Sequence, residues 1–277
     1  MWAPEDNASY HPPRMAASDP RRRLEKRLRN LKGYLNLDRH GNEVVRRTDF
    51  THGERPVLLL YGFMATRRIF EVLEKRLRRD GYCVWSINLG GLFDAFNTRG
   101  IDDCAEQVRD KVERLYTRYN LGPLSIIGHS KGGLIGRYYV KRLGGDKRCR
   151  TLITLGAPHN GTPAAYAGIA TMGLVSKSVW QMAPMSPFIR RLKMGRFPPN
   201  VRFVSIYSKA DRASPFPSCI LEADSQANLF NVEVPGVTHR EFVLKRSVYS
   251  VIRRELALGL GDPPRDGERP RPRLIES

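Results

Sequence analysis

Leu124-Ser125-Ile126-Ile127-Gly128-His129-Ser130-Lys131-Gly132-Gly133-Leu134-Ile135 decides the fold of this 277-residue chain. A short apolar run suited to a buried strand leads into Gly-x-Ser-x-Gly, and the pattern after it suits a helix. The pentapeptide alone says little, because Gly and Ser are common residues. Its place between a strand and a helix says more. A serine hydroxyl attacks a carbonyl only where it stands clear of the sheet. A sharp strand-to-helix turn presents it by holding the serine at a strained, positive φ. Gly128 and Gly132, two residues either side of Ser130, keep side chains out of the space where strand and helix pass, and Gly133 extends that clearance. The first turn of the helix also leaves backbone N–H groups free to face a developing negative charge. The segment thus predicts a nucleophile at Ser130. The competing reading is a structural turn that happens to contain serine.

Outward from this turn, strand and helix patterns alternate. Val57–Tyr61 is an apolar run suited to a strand buried on both faces. Ile69, Phe70, Leu73 and Leu77 share a helical face, with Gly81 at the expected cap, and Tyr82–Ile87 reads as the next strand. Ile101, Ala105, Val108, Val112, Leu115 and Tyr119 recur at steps of three and four, an amphipathic helix with Asp102 and Asp103 at its positive end. The helix after Ser130 should run to about Leu143 and stop at Gly144-Gly145. Thr151–Leu155, Val201–Tyr207 and Leu229–Val234 read as strands, and Phe242–Leu256 as a closing helix. This alternation predicts an α/β fold, a mostly parallel central sheet covered by helices on both faces.

The ends differ from the middle. Residues 1–30 are expected to form a basic tail, disordered over 1–20, with Arg21–Asn30 a surface helix, a membrane-surface anchor or plain solvated chain. Residues 262–277 read as a Pro- and Arg-rich tail, leaving 31–261 as the folded domain. No apolar run is long enough to span a membrane and no secretory signal is visible, so a cytoplasmic location is expected. Cys83, Cys104, Cys149 and Cys219 show no metal-ligand spacing and read as reduced structural residues. The net charge is +19. The first 30 residues hold +3 and residues 262–277 are balanced, so +16 lies between them. A basic body suits peripheral contact with an anionic membrane or an acidic substrate; it equally suits a solvated surface. No nucleic-acid motif accompanies it, so nucleic acid is not an expected partner.

A serine needs a base, and the base needs an orienting carboxylate. In parallel sheets these come from loops at the carboxyl ends of strands. His239 follows the strand Leu229–Val234 after a Pro235-Gly236 bend and is the best-placed base. His159, in the loop after Thr151–Leu155, is its rival or a loop brace. His129 adjoins Ser130 and should pack beneath the turn, away from the hydroxyl. His11 and His40 precede the first strand, and His52 falls in an expected turn. Asp211, just beyond Val201–Tyr207, is the expected orienter, with Glu222, Asp224 and Asp94 as rivals. The chain order Ser130, Asp211, His239 matches one specific fold. An oxyanion hole needs two aimed N–H donors. Lys131 offers one, and Phe63, with Gly62 letting the backbone approach, offers the other.

Tyr61-Gly62-Phe63, Gly128-His129-Ser130-Lys131-Gly132-Gly133, Thr154-Leu155-Gly156-Ala157-Pro158-His159-Asn160-Gly161, Asp211 and His239 together resemble the α/β-hydrolase superfamily, and within it bacterial triacylglycerol-lipase-like lipases and esterases. The resemblance covers about residues 55–257. It implies the α/β-hydrolase fold with a helical lid insertion over about 161–200. There Met172, Val175, Val179 and Met182, at helical spacing, and Trp180 would wall an acyl site; the same spacing also suits an ordinary packed helix. The implied activity is hydrolysis of carboxylic esters of lipid-like or small-molecule substrates through a Ser130–His239–Asp211 triad and an acyl-enzyme. No cofactor is needed, and no carboxylate cluster suggests the calcium ion that some lipases of this group hold. Acyl transfer or phospholipase action on the same machinery are alternatives, as is a non-catalytic basic protein that binds lipid surfaces on a hydrolase frame. Two departures from the group matter. Tyr61-Gly62 stands where His-Gly is usual, and Lys131 replaces a neutral residue, where its charge would favour an acidic head group unless solvent screens it.

Overall fold

A computed structural model describes residues 50, 55–92, 96–222 and 226–261. Both tails, His11, His40, His52, Asp94 and Asp224 lie outside them. β5 (Leu124–His129), the strand that delivers Ser130, is buried along its whole length. It pairs in parallel with β1 (Pro56–Leu60) on one side and β6 (Cys149–Leu155) on the other. β2 (Cys83–Ser86) extends the sheet beyond β1, and β7 (Arg202–Tyr207) and β8 (Leu229–Glu233) extend it beyond β6. The order is β2-β1-β5-β6-β7-β8, all parallel. The continuous apolar run of β1 and the complete burial of β5 follow from this central position, since a strand covered on both faces has no solvent side.

Helices lie on both faces. α3 (Lys131–Arg142) crosses the sheet so closely that a Cβ on its Gly136 would touch the Leu152 and Ile126 side chains. α8 (Arg246–Leu260) meets β6 from the other side, where a Cβ on Gly259 would run into the Thr151 hydroxyl. Thr151 and Leu152 are successive residues of one strand and so face opposite sides. α1 (Glu71–Arg79) and α2 (Ile101–Tyr119) complete the layers. Between β2 and α2 the chain makes a small antiparallel hairpin, β3 (Gly91–Leu92) with β4 (Phe96–Asn97). Strands this short leave no period in a sequence.

The closing helix starts four residues later than its apolar pattern predicts. Glu241–Val243 form a 3-10 turn because the Thr238 N–H and hydroxyl both donate to Glu241 Oε2, at 2.9 and 2.8 Å, and Lys245 is extended. Phe242 and Val243 are still buried, so the hydrophobic signal was real while the backbone differed. Between β6 and β7 lie α4 (Ala164–Met172), α5 (Lys177–Gln181) and α6 (Pro187–Lys193), then a short α7 (Phe216–Cys219) follows β7.

Candidate active site

Ser130 joins β5 to α3 at φ 55° and ψ −126°, a conformation that L-residues avoid. Two things hold it there. Its N–H donates to Leu155 O at 2.9 Å, carrying the β5–β6 ladder one residue past the strand. The glycines around it leave no room for another path: a Cβ on Gly132 would stand 1.9 Å from Leu60 O, and one on Gly128 2.5 Å from Gly133. Gly62 backs directly onto the serine, since its Cβ would lie 2.8 Å from Ser130 Cβ.

Asp211 and His239 come together. His239 Nδ1 lies 2.7 Å from Asp211 Oδ2. The Asp211 carboxyl is buried, and its Oδ1 accepts the N–H groups of Ala213 and Ser214 at 2.9 and 3.0 Å. A carboxylate oxygen accepts, so His239 Nδ1 donates to Oδ2 and Nε2 is the ring nitrogen turned away from Asp211. The two loops are tied to each other by Ser208, whose Oγ accepts from Ala210 N and Val237 N at 3.2 and 3.1 Å. Gly156, at φ 54°, leaves the space that the pair fills; a Cβ there would lie 2.8 Å from Asp211 Oδ2 and 3.2 Å from His239 Nδ1.

The other histidines are committed elsewhere. His129 Nε2 lies 2.8 Å from His239 O, and the two rings are 4.7 Å apart, so the residue beside Ser130 holds the backbone of His239. A carbonyl only accepts, so His129 donates through Nε2. Burial pushes its pKa down to about 3, and the ring is neutral. His159 is buried, bonds Thr154 Oγ1 through Nε2 at 2.9 Å and packs edge-on to Phe203. Burial drives its pKa well below the usual value as well. Nε2 braces its loop through Thr154, and Nδ1 is buried with no hydrogen-bond partner among the described residues.

Residues 56–192 match the family model described as palmitoyl protein thioesterase. The structure is similar to the mature form of the lipase BlEst2 from Bacillus licheniformis, with a TM-score of 0.61 and 12% identity over 76% of this chain and 95% of that one. Aspergillus fumigatus lipase B gives a TM-score of 0.62 and 18% identity over 76% and 54% of the two chains. Monoacylglycerol lipase from Paleococcus ferrophilus gives 0.56 and 14% over 76% and 96%. This is the α/β-hydrolase fold. No curated protein matches the chain.

On this α/β-hydrolase frame the Lys131 side chain corrects the sequence reading. It meets no solvent and offers no charge to a head group. It is fully buried, with Nζ donating to Asn97 Oδ1 at 2.7 Å, Asn97 O at 3.1 Å and Arg99 O at 2.5 Å. Phe63 sits in the turn Gly62–Met64 beside Ser130, where Met64 has a positive φ of 54°. Tyr61, at the usual histidine position, takes the Leu89 N–H on its hydroxyl at 2.8 Å and so braces the loop after β2. The five insertion candidates split. Val179 and Met182 are buried, Met172 is half-buried, and Val175 and Trp180 are exposed. Leu174, Tyr166 and Met185 are exposed as well. Among the described residues no three His, Cys, Asp or Glu side chains gather to hold a metal ion, and no helix is long and apolar enough to cross a membrane. The sequence reading missed Asn97 and Ser208. Neither carries a motif, and each matters only through what the fold brings next to it.

Proposed function

We propose that this protein is a serine hydrolase acting on esters of lipid-like acyl chains. The observation that carries the reading is the Asp211–His239 pair, 2.7 Å apart and held through His129, the neighbour of a strained serine at the carboxyl end of the central strand β5. His239 Nε2 takes the Ser130 Oγ proton as the oxygen attacks the acyl carbon. The carbonyl oxygen becomes negative and is met by the N–H groups of Phe63 and Lys131. Collapse of that intermediate expels the leaving group, which takes the proton from His239, and leaves an acyl serine. Water then attacks the acyl carbon and gives a proton to Nε2, and collapse breaks the bond to Ser130 Oγ, which takes that proton back as the acid leaves. Asp211 holds the tautomer and offsets the imidazolium charge in each half-reaction.

The thioesterase family match favours a second form of the same chemistry, in which the leaving atom is sulfur. Acyl transfer and phospholipase action differ only in acceptor and head group. We read residues 161–200 as the acyl-binding wall, with exposed Val175, Trp180 and Leu174 as its apolar face, and the basic body as suited to an anionic lipid surface. The test is fluorophosphonate labelling with turnover of p-nitrophenyl esters from C2 to C16 and of a palmitoyl thioester. Labelling at Ser130 that is lost in Ser130→Ala, with turnover rising toward long chains, is expected. Labelling that survives in Ser130→Ala removes the nucleophile assignment, and a flat chain-length profile removes the lipid-like substrate.

A further inference from the structure

The buried ammonium of Lys131 has an unusual address. It belongs to the residue directly after the candidate nucleophile, yet it points at the β3–β4 hairpin. All three of its protons go to chain oxygens, and among the described residues it makes no ion pair. Burying a cation without a carboxylate is costly, and a methionine of similar length would avoid that cost. What the lysine holds is Asn97. Asn97 in turn holds both sides of the turn that contains Phe63. Its Nδ2 donates to Tyr61 O at 2.8 Å, its O accepts from Met64 N at 3.4 Å, and its N–H donates to Ala65 O at 3.4 Å. The turn between them needs holding, because Met64 is strained at positive φ and Gly62 must lie flat against Ser130. The Lys131 ammonium also lies 5.9 Å from the Phe63 ring centroid.

We infer that Lys131 is a positioning residue. Acting through Asn97, it fixes the Gly62–Met64 turn so that the Phe63 N–H faces the acyl oxygen, and it sets positive charge behind the first turn of α3. The inference rests on the hydrolase reading above. The oxyanion hole works by being in place before charge develops, so a loosened turn costs rate in the chemical step more than substrate binding. Burial lowers the Lys131 pKa to about 8, with the Cys104 thiol, Arg99 and Asp103 as the titratable or charged groups that act on it. A neutral amine has two N–H groups for three acceptors, so the clamp weakens as pH rises through that value.

The test compares wild type with Lys131→Met, Asn97→Ala and the double variant on a short soluble ester from pH 6 to 10. Thermal melting and hydrogen exchange of residues 61–65 are followed in the same samples. Lys131→Met should lower kcat about 10–10²-fold with KM within about 3-fold, and it should lose any fall in kcat above pH 8 that wild type shows. Asn97→Ala should lower kcat similarly. The double variant should be little worse than either, because both remove one link. Residues 61–65 should exchange faster in each variant. A folded Lys131→Met with kcat within about 2-fold of wild type overturns the inference. If Lys131→Met does not fold, Asn97→Ala carries the same comparison. If wild type neither labels at Ser130 nor turns over any ester, the hydrolase reading fails. The clamp is then judged on hydrogen exchange, and unchanged protection of 61–65 overturns it.

Discussion

At the scale of single residues, strain and burial set the expectations. Ser130 holds φ 55° and ψ −126°, where glycine is the residue least penalised. Ser130→Ala should abolish turnover with little change in stability, because alanine inherits the strain. Ser130→Gly should be equally inactive but more stable by about 1 kcal/mol, measured by urea unfolding. His239→Ala should cost at least about 10²–10⁴-fold in turnover. His159→Ala should leave turnover within several-fold and cost about 2 kcal/mol of stability, through a lost buried ring and its hydrogen bond to the Thr154 hydroxyl, which keeps only its longer bond to Val204 O at 3.3 Å. The reverse ranking in folded variants would exchange their roles. His129 and His159 both resist protonation in the fold, so the unfolded chain binds more protons below its ordinary histidine pKa. Stability should therefore fall as pH drops below about 6.5, by up to about 1.4 kcal/mol per pH unit for each ring. A urea midpoint that stays flat from pH 7 to 5 contradicts this. Ser130, Asp211 and His239 were legible because each sits just past a strand of visible pattern. The direction of the Lys131 side chain was not legible. A lysine reads as a surface residue until the fold sets three carbonyl-type oxygens in front of it.

At the scale of elements, the sequence reading found every strand of the parallel sheet, since buried strands are long apolar runs between turn residues. It missed the two-residue strands of the hairpin, and it misjudged the start of α8 because a 3-10 turn can bury the same apolar residues as a helix. The close crossing of α3 over β1 gives a sharp contrast between glycines. Gly132→Ala puts a Cβ against Leu60 O, a backbone atom that cannot rotate away. It should cost at least about 3 kcal/mol or prevent folding. Gly144→Ala, at φ 73° with nothing within 4 Å, should cost only about 1 kcal/mol of backbone strain. Chemical denaturation of both variants measures the difference. Equal costs would mean that α3 shifts freely on the sheet. The insertion is also an element in its own right, anchored where Gln181 takes the Ile101 N–H at 2.6 Å and Ser176 Oγ donates to Thr98 O at 2.7 Å. The sequence pattern could not separate its buried residues from its exposed ones, because α4 and α5 are short and have exposed residues beside buried ones.

At the scale of the molecule, charge and apolar exposure act together. Arg190 and Arg191 are exposed on the insertion that also exposes Leu174, Val175 and Trp180, while Lys177 is paired with Asp102 at 2.8 Å, on a body that carries most of the +19 charge. Apolar insertion tolerates salt, whereas Coulomb attraction fades as the Debye length shortens from about 10 Å at 0.1 M to about 3 Å at 1 M. Anionic vesicles should therefore bind better than zwitterionic ones, with a preference that salt erodes. Activity on a dispersed lipid ester should follow binding, and activity on a short soluble ester should not. Equal co-sedimentation with both vesicle types at low salt would mark the charge as a solvated face. Neither property was decidable from composition alone, because a charge count says nothing of which apolar residues are left uncovered.

The buried lysine makes one more quantity measurable. An amine that loses its proton near neutral pH is ordinarily the first in a protein to react with acylating reagents. Lys131 is shut away, so it should be among the last. Its modification then waits on the moments when the hairpin lifts from the elbow, and its labelling rate under excess reagent becomes a clock for that opening.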